Sequence, residues 1–231
     1  MTDSVIFMSG FAVQGALEPS ILPDFERETG ITVDARWMPT TLMMNSLSEG
    51  AEADVLVLAE SAIDELAAKD IVVPESRVAL ADAMVGLAVP AGKPKPDIST
   101  TEAFRQVVLS CSAIAYSRAG QSGIYFETLI DRLGIGEQVR GKAVVIPQGL
   151  TAEKLVSGEA DLAIQQISEL LMVDGVDIVG PLPEEISCVT GFTAAILRSS
   201  QRQEQAKQLV AALSSADAMR AYANAGLSAR R

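Results

Sequence analysis

A chain of 231 residues suits one large domain or two small ones, and with 48% apolar and 21% charged residues it has the composition of a globular protein. Eighteen basic residues against 30 acidic give a formal net charge of −12, which argues against a nucleic-acid or anionic-membrane surface, since both need a basic footprint. Histidine is absent, so Ser-His-Asp and Cys-His catalysis, HExxH zinc sites and haem ligation through His are excluded, and acid–base chemistry must use Glu, Asp, Lys, Tyr, Cys or the ligand itself.

The chain opens Met1-Thr2-Asp3-Ser4 and moves straight into an apolar run at 5–8, without a basic leader, a long apolar stretch or a small-residue cleavage site. As written, this predicts a cytoplasmic protein; a periplasmic one is expected if the N-terminus was trimmed. No run approaches the ~20 apolar residues of a membrane span, so no membrane insertion is expected. Residues 5–8, 31–36 and 55–58 read as strands, with helices over 17–28, 41–48 and 61–69. Pro19 fits a first helical turn, whereas Pro23 interrupts and delays the helix start. A strand at 84–89 leads into the Pro-rich loop 91–97, then a helix over 101–109 with Ser99 or Thr100 as cap. Strands are expected at 113–116, 143–146, 162–164, 176–179 and 187–197, the last interrupted by Gly191. Helices are expected at 122–133, 151–157, 167–171, 201–213 and 217–223. The stretch 134–138 reads as a helix-to-strand connection, because Gly134-Ile-Gly136 lacks the context of a nucleotide loop. Cys111 and Cys188 share no CxxC or metal spacing and read as buried thiols. Alternating strands and helices predict an α/β fold with largely parallel sheets, and no metal or other cofactor is indicated.

In such sheets ligands bind beyond the carboxyl ends of strands. Four strand ends carry small hydroxyl residues or glycine: Ser9-Gly10, Thr40-Thr41, Ser117-Arg118 through Ser122-Gly123, and Gly149. The third precedes a helix, so backbone N–H groups, hydroxyls and the Arg118 guanidinium can converge on one anion. The bland alternative is a capped helix with a flexible turn. Gln165 and Gln166 follow a strand and can bond a carboxylate or hydroxyl ligand, or simply cap the next helix. Tyr116 and Tyr125 flank the third loop, where packing competes with chemistry as their role.

Several segments together resemble a known family: the Ser9 opening, Thr40-Thr41-Leu42, Gly50-Ala-Glu-Ala-Asp54, Ser122-Gly123-Ile124-Tyr125, Ser157-Gly-Glu-Ala-Asp161 and Asn224-Ala-Gly226. In order and spacing the chain resembles the two-lobed (type II) solute-binding proteins of molybdate-type ABC transporters. The resemblance implies mixed sheets flanked by helices and a ligand cleft between lobes. Lobe one would hold 1–83 and 188–231 and lobe two 84–187, with crossovers near 84–89 and 188–197 as the hinge. It implies anion contacts at Ser9, Thr40 or Thr41, Ser122, Gly123 and Gly149, and an ABC transporter permease as partner if the chain is exported. Gln166 stands where the family's ligand-binding Tyr is usual, so a di- or tricarboxylate suits the site at least as well as a molybdate-like oxyanion. The segment from Gln165 to Pro183 is similar to a divergent branch that includes aconitate isomerase. Two functions are therefore expected. The first is capture of a small anion without chemistry. The second is a cofactor-independent isomerase of an unsaturated tricarboxylate, with Glu169, Tyr125 or Tyr116 as base.

Overall fold

A computed structural model describes residues 4–230. The chain divides into two compact units, one running up to Ala83 and resuming at Thr190, the other Met84–Val189.

In the first unit β1 (Ser4–Ser9), β2 (Thr32–Trp37) and β3 (Val55–Ala59) are parallel in the order β2-β1-β3. β3 is buried along its whole length. Val55 and Val57 join the core on one face with Val5 and Phe7, while Leu56 and Leu58 join Met8 on the other. Both faces are therefore covered, which is why these strands read as continuous apolar runs.

The link from β1 to β2 is helical from Phe11 onward, six residues ahead of the expected start. A 3-10 turn (Phe11–Val13) and α1 (Gln14–Ala16) lead into a π-helical turn (Leu17–Ile21) and then α2 (Leu22–Thr29). Pro19 and Pro23 each remove a backbone donor, and the wider π turn accommodates that loss without breaking the helix. The Ser20 hydroxyl donates to the Ala16 carbonyl at 3.2 Å within this turn. Gly30 ends α2 with φ +73°, a left-handed cap that glycine adopts without strain. α3 (Thr40–Ser48) precedes β3, and α4 (Glu60–Ala68) follows it.

β4 (Val78–Pro90) is longer than the predicted strand and carries the chain from the first unit into the second. There α5 (Thr101–Ser110) is capped by the Thr100 hydroxyl, which accepts from Ala103 N–H at 3.1 Å. β5 (Ile114–Ser117), α6 (Gln121–Arg132) and α7 (Gly136–Arg140) follow. α7 occupies the expected connection: Gly134 ends α6 with φ +68°, and Arg140 ties the new helix back to Glu127 and Asp131, each at 2.8 Å. Next come β6 (Ala143–Ile146), α8 (Glu153–Val156), β7 (Leu162–Gln166), α9 (Ile167–Leu170) and β8 (Val176–Pro181). β5 pairs in parallel with β6 and β7, giving β6-β5-β7, the same order as in the first unit. β9 (Val189–Ile196) returns antiparallel to β3, and α10 (Gln203–Leu213), α11 (Ala216–Asn224) and β10 (Ser228–Ala229) close the first unit.

The shared strand order is accompanied by a shared anchor. Asp54 immediately precedes β3 and accepts from Ile6 N–H on β1 at 2.8 Å. Asp161 immediately precedes β7 and accepts from Ser112 N–H, just before β5, at 2.8 Å. The two Ala-Asp segments thus do the same work in each unit, tying the start of the third strand to the start of the first. Cys111 and Cys188 are half-buried thiols, and burial pushes the Cys111 thiol above its ordinary range. No helix among the described residues is long and apolar enough to cross a membrane.

Candidate functional site

The strand order places one crevice in each unit. From β5 the chain crosses to β6 on one side and then to β7 on the other, so the two connections diverge beyond the carboxyl ends of β5 and β7. Three loops meet there: 117–121 after β5, 147–152 after β6, and the turn from Gln166 into α9. The first unit repeats this with β1 and β3, where Ser9-Gly10 lies beside Val57, ahead of α4.

Ser117 is the buried last residue of β5, and Gly120 is the extended cap residue of α6. Ser122 and Gly123 lie buried in the first turn of that helix. Gly123 is there for packing: a Cβ at this position would sit 1.6 Å from the Ser117 carbonyl oxygen. Gly120 is nearly as constrained, with 2.7 Å to the Ser117 hydroxyl oxygen. Arg118 is exposed, its backbone N–H donates to the Ile146 carbonyl at 2.9 Å, and it makes no ion pair among the described residues. The first turn of α6 holds no acidic residue, and neither does that of α3 or of the 3-10 turn after Gly10. In a chain with 30 acidic residues, the helical starts following β1, β2 and β5 thus keep their positive ends uncompensated.

Gly149 has φ +102°, in the left-handed region that favours glycine. Its carbonyl accepts from Gln165 Nε2 at 2.9 Å, and Gln165 Oε1 accepts from both the Thr151 N–H (2.7 Å) and the Thr151 hydroxyl (2.9 Å). Gln165 was expected to contact ligand; its buried amide is instead spent on bracing the Gly149 loop. Gln166 is the cap residue of α9, and its backbone N–H donates to the Glu169 carboxyl at 3.3 Å.

The three residues expected as bases are likewise committed. Burial is the main cause that pushes the Glu169 carboxyl up to about 7, against which the Gln166 N–H and the Gln165 amide act. Tyr116 packs its ring edge-on to Phe126 (5.1 Å between centroids) and donates its hydroxyl to Glu127. Burial holds that phenol far above the range of a base at neutral pH. Tyr125 donates to the Ile186 carbonyl at 2.8 Å. Both phenol oxygens thus have a fixed polar partner, as a ring packed in or against a core requires.

In the first unit Ser9 is fully buried, its hydroxyl donates to the Gly10 carbonyl at 3.2 Å, and Gly10 N–H donates to the Val57 carbonyl at 3.1 Å. Thr40 is buried and Thr41 half-buried in the first turn of α3. One cluster escaped the sequence reading. Arg230 bonds Glu60, the first residue of α4, through Nη1 at 2.8 Å, and Asp82 on β4 through Nε at 2.7 Å. No sequence signal marks it, since the partners lie 170 and 148 positions apart.

Two α/β units with the same strand order, each ending in anion-compatible turns, define a solute-binding scaffold. The model of the bacterial extracellular solute-binding protein family matches residues 7–228. The chain belongs to that family. It is 34% identical over 233 residues to the aconitate isomerase of a Pseudomonas species, covering 98% of this chain and 88% of that protein. Among solved structures it is similar to the periplasmic molybdate-binding protein of Azotobacter vinelandii, with a TM-score of 0.80 at 19% identity over 98% of this chain and 100% of that one. It is also similar to the sulfate-binding protein SubI of Mycobacterium tuberculosis H37Rv, with a TM-score of 0.75 at 15% identity over 97% and 86% of the two chains. These two likenesses show the fold, the mixed α/β architecture of type II binding proteins.

Proposed function

We propose that the chain binds a small di- or tricarboxylate at its strand-end loops. The observation that carries this reading is the set of acid-free helical starts after β1, β2 and β5 in a chain of net charge −12, with the exposed Arg118 beside the third. A planar guanidinium pairs with a carboxylate through two parallel hydrogen bonds. The relatives are named for molybdate binding, sulfate binding and aconitate isomerisation, which all involve small anions. Ser9, Thr40 and Thr41 in the first unit and Ser117, Ser122, Gly123 and Gly149 in the second supply the strand-end loops of this reading, and no metal or other cofactor is part of it.

A second reading is favoured by the 34% identity to an aconitate isomerase over nearly the whole chain. A cofactor-independent allylic proton shift needs a base and dipoles that stabilise the enolate-like charge, and helix starts supply the dipoles. An exported receptor would hand its ligand to an ABC transporter permease, whereas a cytoplasmic isomerase would need no such partner.

The ligand class is tested by thermal melts against trans-aconitate, cis-aconitate, citrate, molybdate and sulfate, with and without chelator. Ligand at a hundredfold excess over Kd adds about 2.7 kcal/mol to stability. The polycarboxylates are expected to raise the melting temperature by several degrees, more than either oxyanion does, with chelator making no difference. A shift with molybdate alone would assign the site to the oxyanion.

A further inference from the structure

With Tyr116 and Tyr125 engaged in the core and Glu169 closed into its own helix cap, the isomerase reading lacks a base. The crevice of the first unit supplies one. Ala59 ends β3 and pairs with Phe192 on β9, whose ring edge lies 3.3 Å from the Cβ position of Gly10. Glu60 is the next residue, the first of α4, at the end of the strand whose Val57 carbonyl accepts from Gly10 N–H. Its side chain is 43% exposed, open enough to meet a ligand. We propose that Glu60, held by Arg230, is the proton-transferring carboxylate; the inference rests on the isomerase reading.

Three positions far apart in sequence converge on this one side chain. Arg230 grips Glu60 through Nη1 and is itself oriented by Asp82 through Nε. Gly191 makes the room: a Cβ there would stand 2.5 Å from Arg230 Nη2 and 2.9 Å from Glu60 Oε2. The glycine that interrupts β9 is thereby explained, since any side chain would push the ion pair out of place. Arg230 is the positioning residue, because it acts through the carboxylate it fixes, and its positive charge lessens the repulsion between Glu60 and an anionic substrate.

With trans-aconitate the reaction is a proton shift along three carbons. Glu60 takes a proton from the methylene carbon. The C–H electron pair becomes the new carbon–carbon double bond, the old π pair moves to the far carbon, and the carboxylate there spreads the charge. Protonated Glu60 then returns a proton to that far carbon, so nothing is oxidised and the carboxylate is restored.

The test follows the interconversion of trans- and cis-aconitate by wild type, Glu60→Gln and Arg230→Lys, with melts in trans-aconitate run in parallel. General acid–base catalysis contributes at least about a hundredfold, so Glu60→Gln is expected to lose that much in kcat while keeping its ligand-induced melting shift. Arg230→Lys keeps the charge but cannot bond both carboxylates with one rigid fork; kcat is expected to fall about tenfold with KM little changed. Wild-type turnover that survives in Glu60→Gln would overturn the assignment of Glu60 and leave the isomerase reading standing. Loss of the melting shift in that variant would overturn it too, by making Glu60 a binding or folding residue. Wild-type protein that binds aconitate without turning it over would overturn the isomerase reading, and the base with it.

Discussion

Gly123→Val is expected to destabilise the unit formed by residues 84–189 by more than about 3 kcal/mol, whether or not ligand is present. The Cβ position at Gly123 lies 1.6 Å from the Ser117 carbonyl oxygen and 2.7 Å from its carbonyl carbon. Both are backbone atoms, so no rotamer change relieves the clash. Neither element can retreat easily: α6 buries Phe126, Leu129 and Ile130 in the core of this unit, and β5 is buried along its length between β6 and β7. Even Gly123→Ala meets the same obstacle, and its urea midpoint should fall with that of the valine variant. An alanine variant that unfolds with wild type would show that α6 and β5 do not need this close approach. Weakened ligand binding in either variant would report a displaced helix, so Gly123 cannot be used to map the ligand.

The second large effect is a pH dependence set by Glu169. Burial lifts its carboxyl from an ordinary 4.5 to about 7 in the folded chain. Between those values the folded state holds a proton that the unfolded chain has released, so stability is greatest below 4.5 and falls as pH rises through 7. The difference amounts to about 3 kcal/mol across that window, at 1.36 kcal/mol per pH unit. Carboxylates held low, such as Asp161 with the Ser112 N–H on it, act in the opposite sense and in more acid solution. Glu169→Gln removes the titration and keeps an oxygen that can accept from Gln166 N–H. Urea unfolding at pH 5 and pH 8 is expected to show a loss in wild type that the variant largely lacks, leaving the variant the more stable at pH 8. Equal losses in both would place the titrating group elsewhere.

The α/β architecture was legible because buried strands such as β3 leave apolar runs of strand length, too short for a helix. The helical start at Phe11 was hidden because Pro19 reads as a first-turn residue and Pro23 as an interruption, and the π turn accommodates both. Of the site, the loops were legible as glycine and hydroxyl clusters at strand ends, but not the use made of each side chain. Nothing local says that Gln165 spends its amide on Thr151 and Gly149, or that Gly123 serves a helix–strand contact. The grip of Arg230 on Glu60 and Asp82 is less legible still, since periodicity carries no record of partners brought together only by the fold.

Arg118 offers the most direct test of anion capture, because it is exposed and its removal leaves the core intact. Isothermal titration of trans-aconitate into wild type and Arg118→Ala measures its contribution. A hydrogen bond to a charged group contributes about 1.5–3 kcal/mol, so the variant is expected to bind roughly 10- to 150-fold more weakly, with saturable heat at one site in wild type. Saturable binding of equal strength in both proteins, or no saturable heat from wild type with any polycarboxylate, would contradict the account.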